Sequence, residues 1–308
     1  MTADIHSKFI GAMLGAALGD AVGELAFEHT NRNDLLARLE HEPQLRYTDD
    51  TVMTIVVAEH LIAHGDIQPQ ILGHQFREHY HKEPWRGYGE STRYVFSLVE
   101  NEGIGYIDAA LRLHGGAGTY GNGAAMRVTP VALFHHRSAD LRDKVAAASR
   151  VTHAHAVAID AAAVLAQAQV RLLALNSQRP FAPQALAGEL IECAQSALLR
   201  DKLERIPALL DSGLPHLQVA EILGCGTAAH ESLPFALYCF LTHPHEFMEC
   251  VLCAALNGGD RDTLGTMAGA AAGALLGVDA LPKAWLAKLE NRQHIETLAR
   301  ELAARHVS

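Results

Sequence analysis

Ile5-His-Ser-Lys-Phe-Ile-Gly-Ala-Met-Leu-Gly-Ala-Ala-Leu-Gly-Asp-Ala-Val-Gly-Glu-Leu-Ala26 decides the fold class. Its apolar residues return every three or four positions, the period of a helix face, and the part from Gly11 to Gly19 is small on all sides. Glycine inside a helix costs about 1 kcal/mol relative to alanine, a cost offset where another helix approaches closely. A second such stretch, Met267-Ala-Gly-Ala-Ala-Ala-Gly-Ala-Leu-Leu-Gly277, lies near the other end of the chain. Both are predicted to be central, tightly packed helices.

The same period runs through Thr51 to His64, Gln70 to Tyr80, Ile104 to Leu113, Leu141 to Val151, Ala156 to Leu175 and Pro183 to Leu199. It continues in Ser232 to Leu241, Glu246 to Leu256, Thr263 to Leu276 and His294 to His306. Strand signals are scarce, with no sustained alternation of β-branched and polar residues, which argues against a parallel sheet. There is no fixed-period repeat, Pro/Ser-rich linker or long charge run, so residues 1–308 read as one domain. The expectation is an all-α protein, a single compact orthogonal bundle of many helices.

With 49% hydrophobic residues the chain can bury a large core. A net charge of -10, from 35 acidic against 25 basic residues without a Lys/Arg cluster, removes the footprint that stable nucleic-acid binding needs. Small anions remain admissible, because helix N-termini and single arginines act locally. The apolar run Phe9 to Gly19 is expected to be a buried first helix rather than a signal segment, because Asp4 precedes it, Asp20 interrupts it and no small-residue cleavage pattern follows. No run reaches the roughly 18 to 20 uninterrupted apolar residues of a membrane span, and the best candidate, Met267 to Val278, is short. A soluble protein without membrane contact is expected. Five cysteines, four within apolar helical patterns, suit a reduced, cytoplasmic setting, and Cys250 and Cys253 read as core residues.

Two acidic clusters carry the chemistry. Tyr47-Thr-Asp-Asp-Thr51 stands directly before an apolar helix, and Asn257-Gly-Gly-Asp-Arg-Asp-Thr263 before the second small-residue helix. One acid at each helix start would serve as a cap. Two carboxylates plus a threonine at each, ahead of helices that must be buried, exceed that need. Buried carboxylates require a counter-charge, and such oxygen ligands suit Mg²⁺ or Mn²⁺ rather than Zn²⁺. Four carboxylates and two hydroxyls match two hard cations, provided that the chain's two ends meet.

Two loops are dense in glycine. His114-Gly-Gly-Ala-Gly-Thr-Tyr-Gly-Asn-Gly-Ala-Ala-Met-Arg127 runs into a helix ending near Pro130 or His135, and reads either as a phosphate cradle at that helix start or as a plain loop. Leu223-Gly-Cys-Gly-Thr-Ala-Ala-His-Glu-Ser-Leu-Pro234 carries Glu231 near a helix start, where an acid is commonly a cap. Thr152-His153-Ala-His155 opens a long helix, and spacing leaves the role of His153 open.

Taken together, Gly19-Asp20-Ala-Val-Gly23, Tyr47 to Met53, Tyr120 to Arg127, Thr152-His153, Glu231 to Pro234 and Gly258 to Thr263 resemble the ADP-ribosylglycohydrolase family in order and spacing, over about residues 8 to 278. Ala228 to Leu241 is most similar to the branch that removes serine-linked ADP-ribose, poly(ADP-ribose) and O-acetyl-ADP-ribose. The resemblance implies an all-α bundle with a dinuclear Mg²⁺ or Mn²⁺ site in a central cleft. It carries the metal ligands onto Thr48, Asp49, Asp50, Asp260, Asp262 and Thr263. It places the substrate's phosphates and ribose against Gly118, Thr119, Tyr120, Gly121, Asn122 and His153. The substrate it implies is an ADP-ribosylated protein or another ADP-ribose conjugate, hydrolysed by a monomer.

That branch has a glutamate seven residues after the Asp of its G-D motif. Here the position is Phe27, with Glu28 one place late and Glu24 three early, so both are candidates to assist catalysis beside Asp49 and Asp50. The expected reaction is attack of an activated water at the anomeric carbon of the distal ribose. Two alternatives stand beside it: a non-catalytic structural relative, against which the intact ligand clusters argue, and a two-metal phosphoester hydrolase.

Overall fold

The computed structural model describes residues 4–176 and 181–305. At its centre the helix Ile5–Ala26 lies antiparallel along the helix Arg261–Leu276, with glycines forming the seam. Gly11 faces Gly273, Gly15 faces Gly269 and Gly19 faces Gly265. A Cβ built on Gly19 would stand 1.9 Å from the Gly265 carbonyl oxygen, so no side chain fits between the two backbones. One turn further, Gly23 meets the backbone of Arg261 and Asp262. The two small-residue stretches are therefore central and tight, and the helix each one packs on is the other. The seam delivers Asp20 to the acidic start of the second helix.

Around this pair the chain is helical, and among the described residues the only β pairings are the isolated bridges Leu45 to Leu289 and Gly121 to Ala228. Most helices form where periodicity expects them. The Thr51 to His64 helix starts two residues earlier, as Asp49–His64, because Thr48 is its N-cap, and Gly65 ends it in the left-handed region. The run Pro183 to Leu199 is two helices, Pro183–Cys193 and Ala197–Leu210. Buried Asp160 causes the break by accepting the backbone N–H of Gln195 (2.9 Å) and Ser196 (2.7 Å), after which the Ser196 hydroxyl caps the next helix. The segment expected to reach Pro130 or His135 divides into Gly123–Met126 and Thr129–Phe134, with Pro130 in the first turn of the latter. The last helix is Arg292–Ala304; its expected end at His306 lies outside the described residues.

Arg32–His41, Glu90–Glu102, His216–Leu223 and Lys283–Lys288 are further helices that periodicity did not pick out. Each buries only two to four residues, such as Leu35 and Leu39 of the first, too narrow a stripe to stand out over a long window. Two helices, Ile5–Ala26 and Ala156–Ala174, are long and apolar enough to cross a membrane, rather than Met267 to Val278. Their apolar windows are 89% and 72% buried inside the protein, which makes them core helices. Buried side chains from Phe9 to Ala303 form one continuous cluster.

Candidate active site

The first acidic tip is held from three sides. Asp20 lies wholly buried on the central helix and accepts the N–H of Thr48 (3.0 Å), the N–H of Thr51 (3.0 Å) and the Thr51 hydroxyl (2.6 Å). Asp49 donates its backbone N–H to the Arg86 carbonyl at 2.7 Å. The Arg86 guanidinium, clamped between Glu83 and Glu290, in turn donates to the Tyr47 carbonyl at 2.9 Å. Thr48 caps the helix by accepting the Asp50 N–H. The cap is thus supplied by the threonine, and the carboxylates of Asp49 and Asp50 are left for another task.

The second tip depends on its glycines. Gly258 and Gly259 have φ of 94° and 67°, and a Cβ on Gly259 would meet the Cys225 carbonyl oxygen at 1.8 Å. That close approach lets Asp260 donate its N–H to the same carbonyl (2.8 Å). Asp260 stands at the N-cap position of Arg261–Leu276 without capping it; its Oδ2 instead accepts from Asn122 Nδ2 at 2.7 Å. Arg261 turns away from the acids and donates to the Ala255 carbonyl.

Asp49, Asp50, Asp260, Asp262 and Thr263 line one cavity of about 330 Å³. Thr48 is buried behind them and borders an adjoining cavity together with Asp262. Burial, then Asp20 and Asp260, pushes the Asp49 carboxyl up to about 8. Asp262 rises to about 8 through burial, then Asp260 and Asp20. Asp50 rises well above the carboxylate range through burial and then Asp262. Asp50 Oδ2 and Asp262 Oδ1 are buried oxygens with no hydrogen-bond partner among the described residues. Buried polar atoms normally find partners, and an all-oxygen cluster whose members repel one another, with oxygens left unpaired, has the donor chemistry of a hard divalent-cation site.

The two glycine loops, far apart in sequence, pair across this cavity. Ala229 donates its N–H to the Tyr120 carbonyl (2.9 Å) and Asn122 to that of Thr227 (2.9 Å). Of the six residues expected to meet substrate, Thr119, Gly121, Asn122 and His153 line the cavity. Gly118 (φ 74°) is packed against the backbone of Ala154 and His155, and Tyr120 stands half-exposed among the rings of His114, His155 and His230. The amide cradle considered for this loop is partly closed. Gly118, Gly121 and Asn122 already donate their N–H groups to Leu113 O, Thr119 Oγ1 and Thr227 O.

A buried relay sets the form of His153. Arg127 donates to the Thr152 hydroxyl at 2.8 Å, and that hydroxyl lies 2.8 Å from His153 Nδ1. Arginine has no acceptor, so the wholly buried Thr152 O–H finds its acceptor in Nδ1, which makes Nε2 the protonated nitrogen. Burial, and after it Arg127, draws the imidazole down to about 3, so it is a neutral donor. Arg127 is itself drawn down to about 9 by burial, opposed by Asp49 and Asp50.

Glu24 and Glu28 are both exposed. Glu24 borders the adjoining cavity with Thr48 and Asp262, while Glu28 lies past the helix end and lines neither cavity. Glu90, at the start of Glu90–Glu102, is the glutamate that lines the main cavity. Sequence reasoning passed over Glu90, Asp20 and Arg127 as agents. Only the G-D motif hinted at Asp20, and nothing local marks a buried arginine or a rim glutamate. Glu231, in the first turn of Ala229–Thr242, packs against Gly224 and borders neither cavity.

Comparison with known proteins gives a consistent picture. A family model described as ADP-ribosylglycohydrolase matches residues 1–308. The chain is 33% identical to the Homo sapiens protein named ADP-ribosylhydrolase ARH3, covering 96% of this chain and 93% of that one. It is 32% identical to the Mus musculus protein of that name, over 96% and 91%. A solved structure described as an ADP-ribosylglycohydrolase-related protein complex superposes with a TM-score of 0.72 at 26% identity, covering 98% of each chain.

Proposed function

Because this chain belongs to the ADP-ribosylglycohydrolase family and is a glycosidic-bond hydrolase, we propose that it cleaves the bond at the anomeric carbon of the distal ribose in ADP-ribosylated proteins or related conjugates, with two Mg²⁺ or Mn²⁺ ions held between its acidic helix tips. The observation that carries this is the pair of buried, unpartnered oxygens, Asp50 Oδ2 and Asp262 Oδ1, within a cluster of mutually repelling carboxylates.

Thr48, Asp49, Asp50, Asp260, Asp262 and Thr263 would hold the ions. When bound, they would neutralise the cluster, polarise the ribose hydroxyls and make water more acidic. Asp49 and Asp50 are the groups in the cavity that take the proton from the attacking water; of the two glutamates considered, Glu24 borders the adjoining cavity and is the one placed to assist, whereas Glu28 is not. Positive charge developing on the ribose ring is met by the same carboxylates. His153 presents a neutral N–H donor, suited to a phosphate oxygen or ribose hydroxyl without changing the site's charge. Thr119 and Asn122 orient substrate from the paired loops, and half-exposed Tyr120 offers its ring face to a base or ribose.

The test is a panel of ADP-ribosyl linkages, to serine, arginine, acetate and nucleobase, each incubated with and without chelator. Free ADP-ribose released only with metal present is expected, and Asp260→Ala should lose both metal uptake and turnover. Full activity in that variant, indifference to chelator, or release of phosphate instead of ADP-ribose would overturn the proposal.

A further inference from the structure

A second group of metal-ligating side chains lies away from the acidic cavity. His216 begins the helix His216–Leu223, His243 closes Ala229–Thr242 and Cys253 lies in Phe247–Leu256. One ligand atom of each falls within 4.8 Å of the others. A fourth candidate, Cys239 Sγ, is 3.0 Å from Cys253 Sγ. We infer that His216, His243 and Cys253, with Cys239 as fourth ligand, form a binding site for a thiophilic transition metal of the Zn²⁺ class.

Three observations support it. The donor set is two imidazoles and two sulfurs, which prefers Zn²⁺ to Mg²⁺, the reverse of the oxygen cluster. The rings have outer neighbours of the kind that orient metal-binding imidazoles: His216 Nδ1 lies 3.1 Å from the Tyr238 hydroxyl, and His243 Nδ1 has the Glu246 carboxylate nearby at 3.6 Å. Cys253 is buried, and its Sγ lies beside Cys239 Sγ and within reach of both imidazoles, so its sulfur faces the donor group rather than solvent. Tetrahedral zinc sets sulfurs about 3.7 Å apart, so the pair must separate by about 0.7 Å, and Cys239, which lies outside the mutual 4.8 Å grouping, must turn toward the imidazoles to complete the set. Both histidines are half-buried, which gives an ion a way in.

The site would bind three helices together beneath the catalytic turn. The Cys253 carbonyl accepts from Asn257 Nδ2 at 2.7 Å, and Asn257 directly precedes Gly258-Gly259-Asp260. An ion here would stiffen the base of the turn that carries Asp260.

Cobalt(II) is the probe, because a thiolate gives it a near-ultraviolet charge-transfer band that an all-oxygen site does not. Added to the full-length, reduced, metal-stripped protein, it should produce that band up to one equivalent per chain, and Zn²⁺ should erase it. The band should persist in Asp260→Ala and vanish in Cys253→Ser. Should buried Cys253→Ser fail to fold, the His216→Gln/His243→Gln double variant, altered at half-buried rings, carries the same test. Absence of the band in reduced protein, its survival in the double variant, or recovery of a Cys239 to Cys253 disulfide from protein prepared without oxidant would overturn the inference.

Discussion

Gly19→Ala puts the central seam to the test. The new Cβ would stand 1.9 Å from Gly265 O, 2.3 Å from its carbonyl carbon and 2.9 Å from Thr266 N. A carbon rests against a carbonyl oxygen at about 3.3 Å, so the helices must part by roughly 1.4 Å at this layer. Every opposing atom is backbone, and no rotamer change relieves the clash. Overpacking costs about 1–3 kcal/mol or more, offset by up to about 1 kcal/mol of helix propensity. Because no opposing atom can move aside, the cost falls at the upper end, an expected net loss of about 2 kcal/mol and a fall in Tm of roughly 3 °C for a chain of this size. The displacement also moves Asp20 relative to Asp260 and Asp262, and misplacement by about 1 Å costs on the order of 100-fold in rate. Gly188→Ala is the control: nothing lies within 4 Å of its Cβ position inside Pro183–Cys193, so it should stabilise by about 0.5–1 kcal/mol. Thermal unfolding of both variants, with turnover measured beside it, decides the matter. Gly19→Ala melting with the wild type, or both variants shifting Tm in one direction, would refute the reasoning.

Asn122→Ala removes the 2.7 Å bond to Asp260 and should lower metal affinity or kcat/KM by roughly 10- to 100-fold with little change in Tm, as calorimetric titration and initial rates would show. Asp20→Asn sets an amide donor against the donors of Thr48 and Thr51, so it should destabilise by about 1–3 kcal/mol in urea unfolding; an unchanged midpoint would show that the tip is held by other contacts. The metal-free protein should lose stability as pH rises. Asp49 and Asp262 have folded-state values near 8, above the roughly 3.9 of the unfolded chain, so the folded state binds more protons between about pH 4 and 8, and stability falls across that window. Saturating Mg²⁺ should therefore raise Tm more at pH 8 than at pH 5, and an equal rise at both would count against a cation in the aspartate cluster.

The amino-acid sequence alone determined what depends on local period and composition. Apolar residues at helical spacing specified an all-α chain, and glycine-rich runs specified two helices able to approach closely. Acids placed ahead of buried helices marked both tips of the site. The tertiary structure decided which distant parts meet. It joined Gly19 to Gly265, paired the loops at Gly121 and Ala228, and brought Asn122 to Asp260 across 138 residues. It broke the helix at Gln195 through Asp160, built the Arg127, Thr152 and His153 relay, and gathered His216, His243, Cys239 and Cys253. Helical period records only which face of a segment is buried; what lies against that face depends on packing between segments far apart along the chain, and it leaves no local trace in the order of residues.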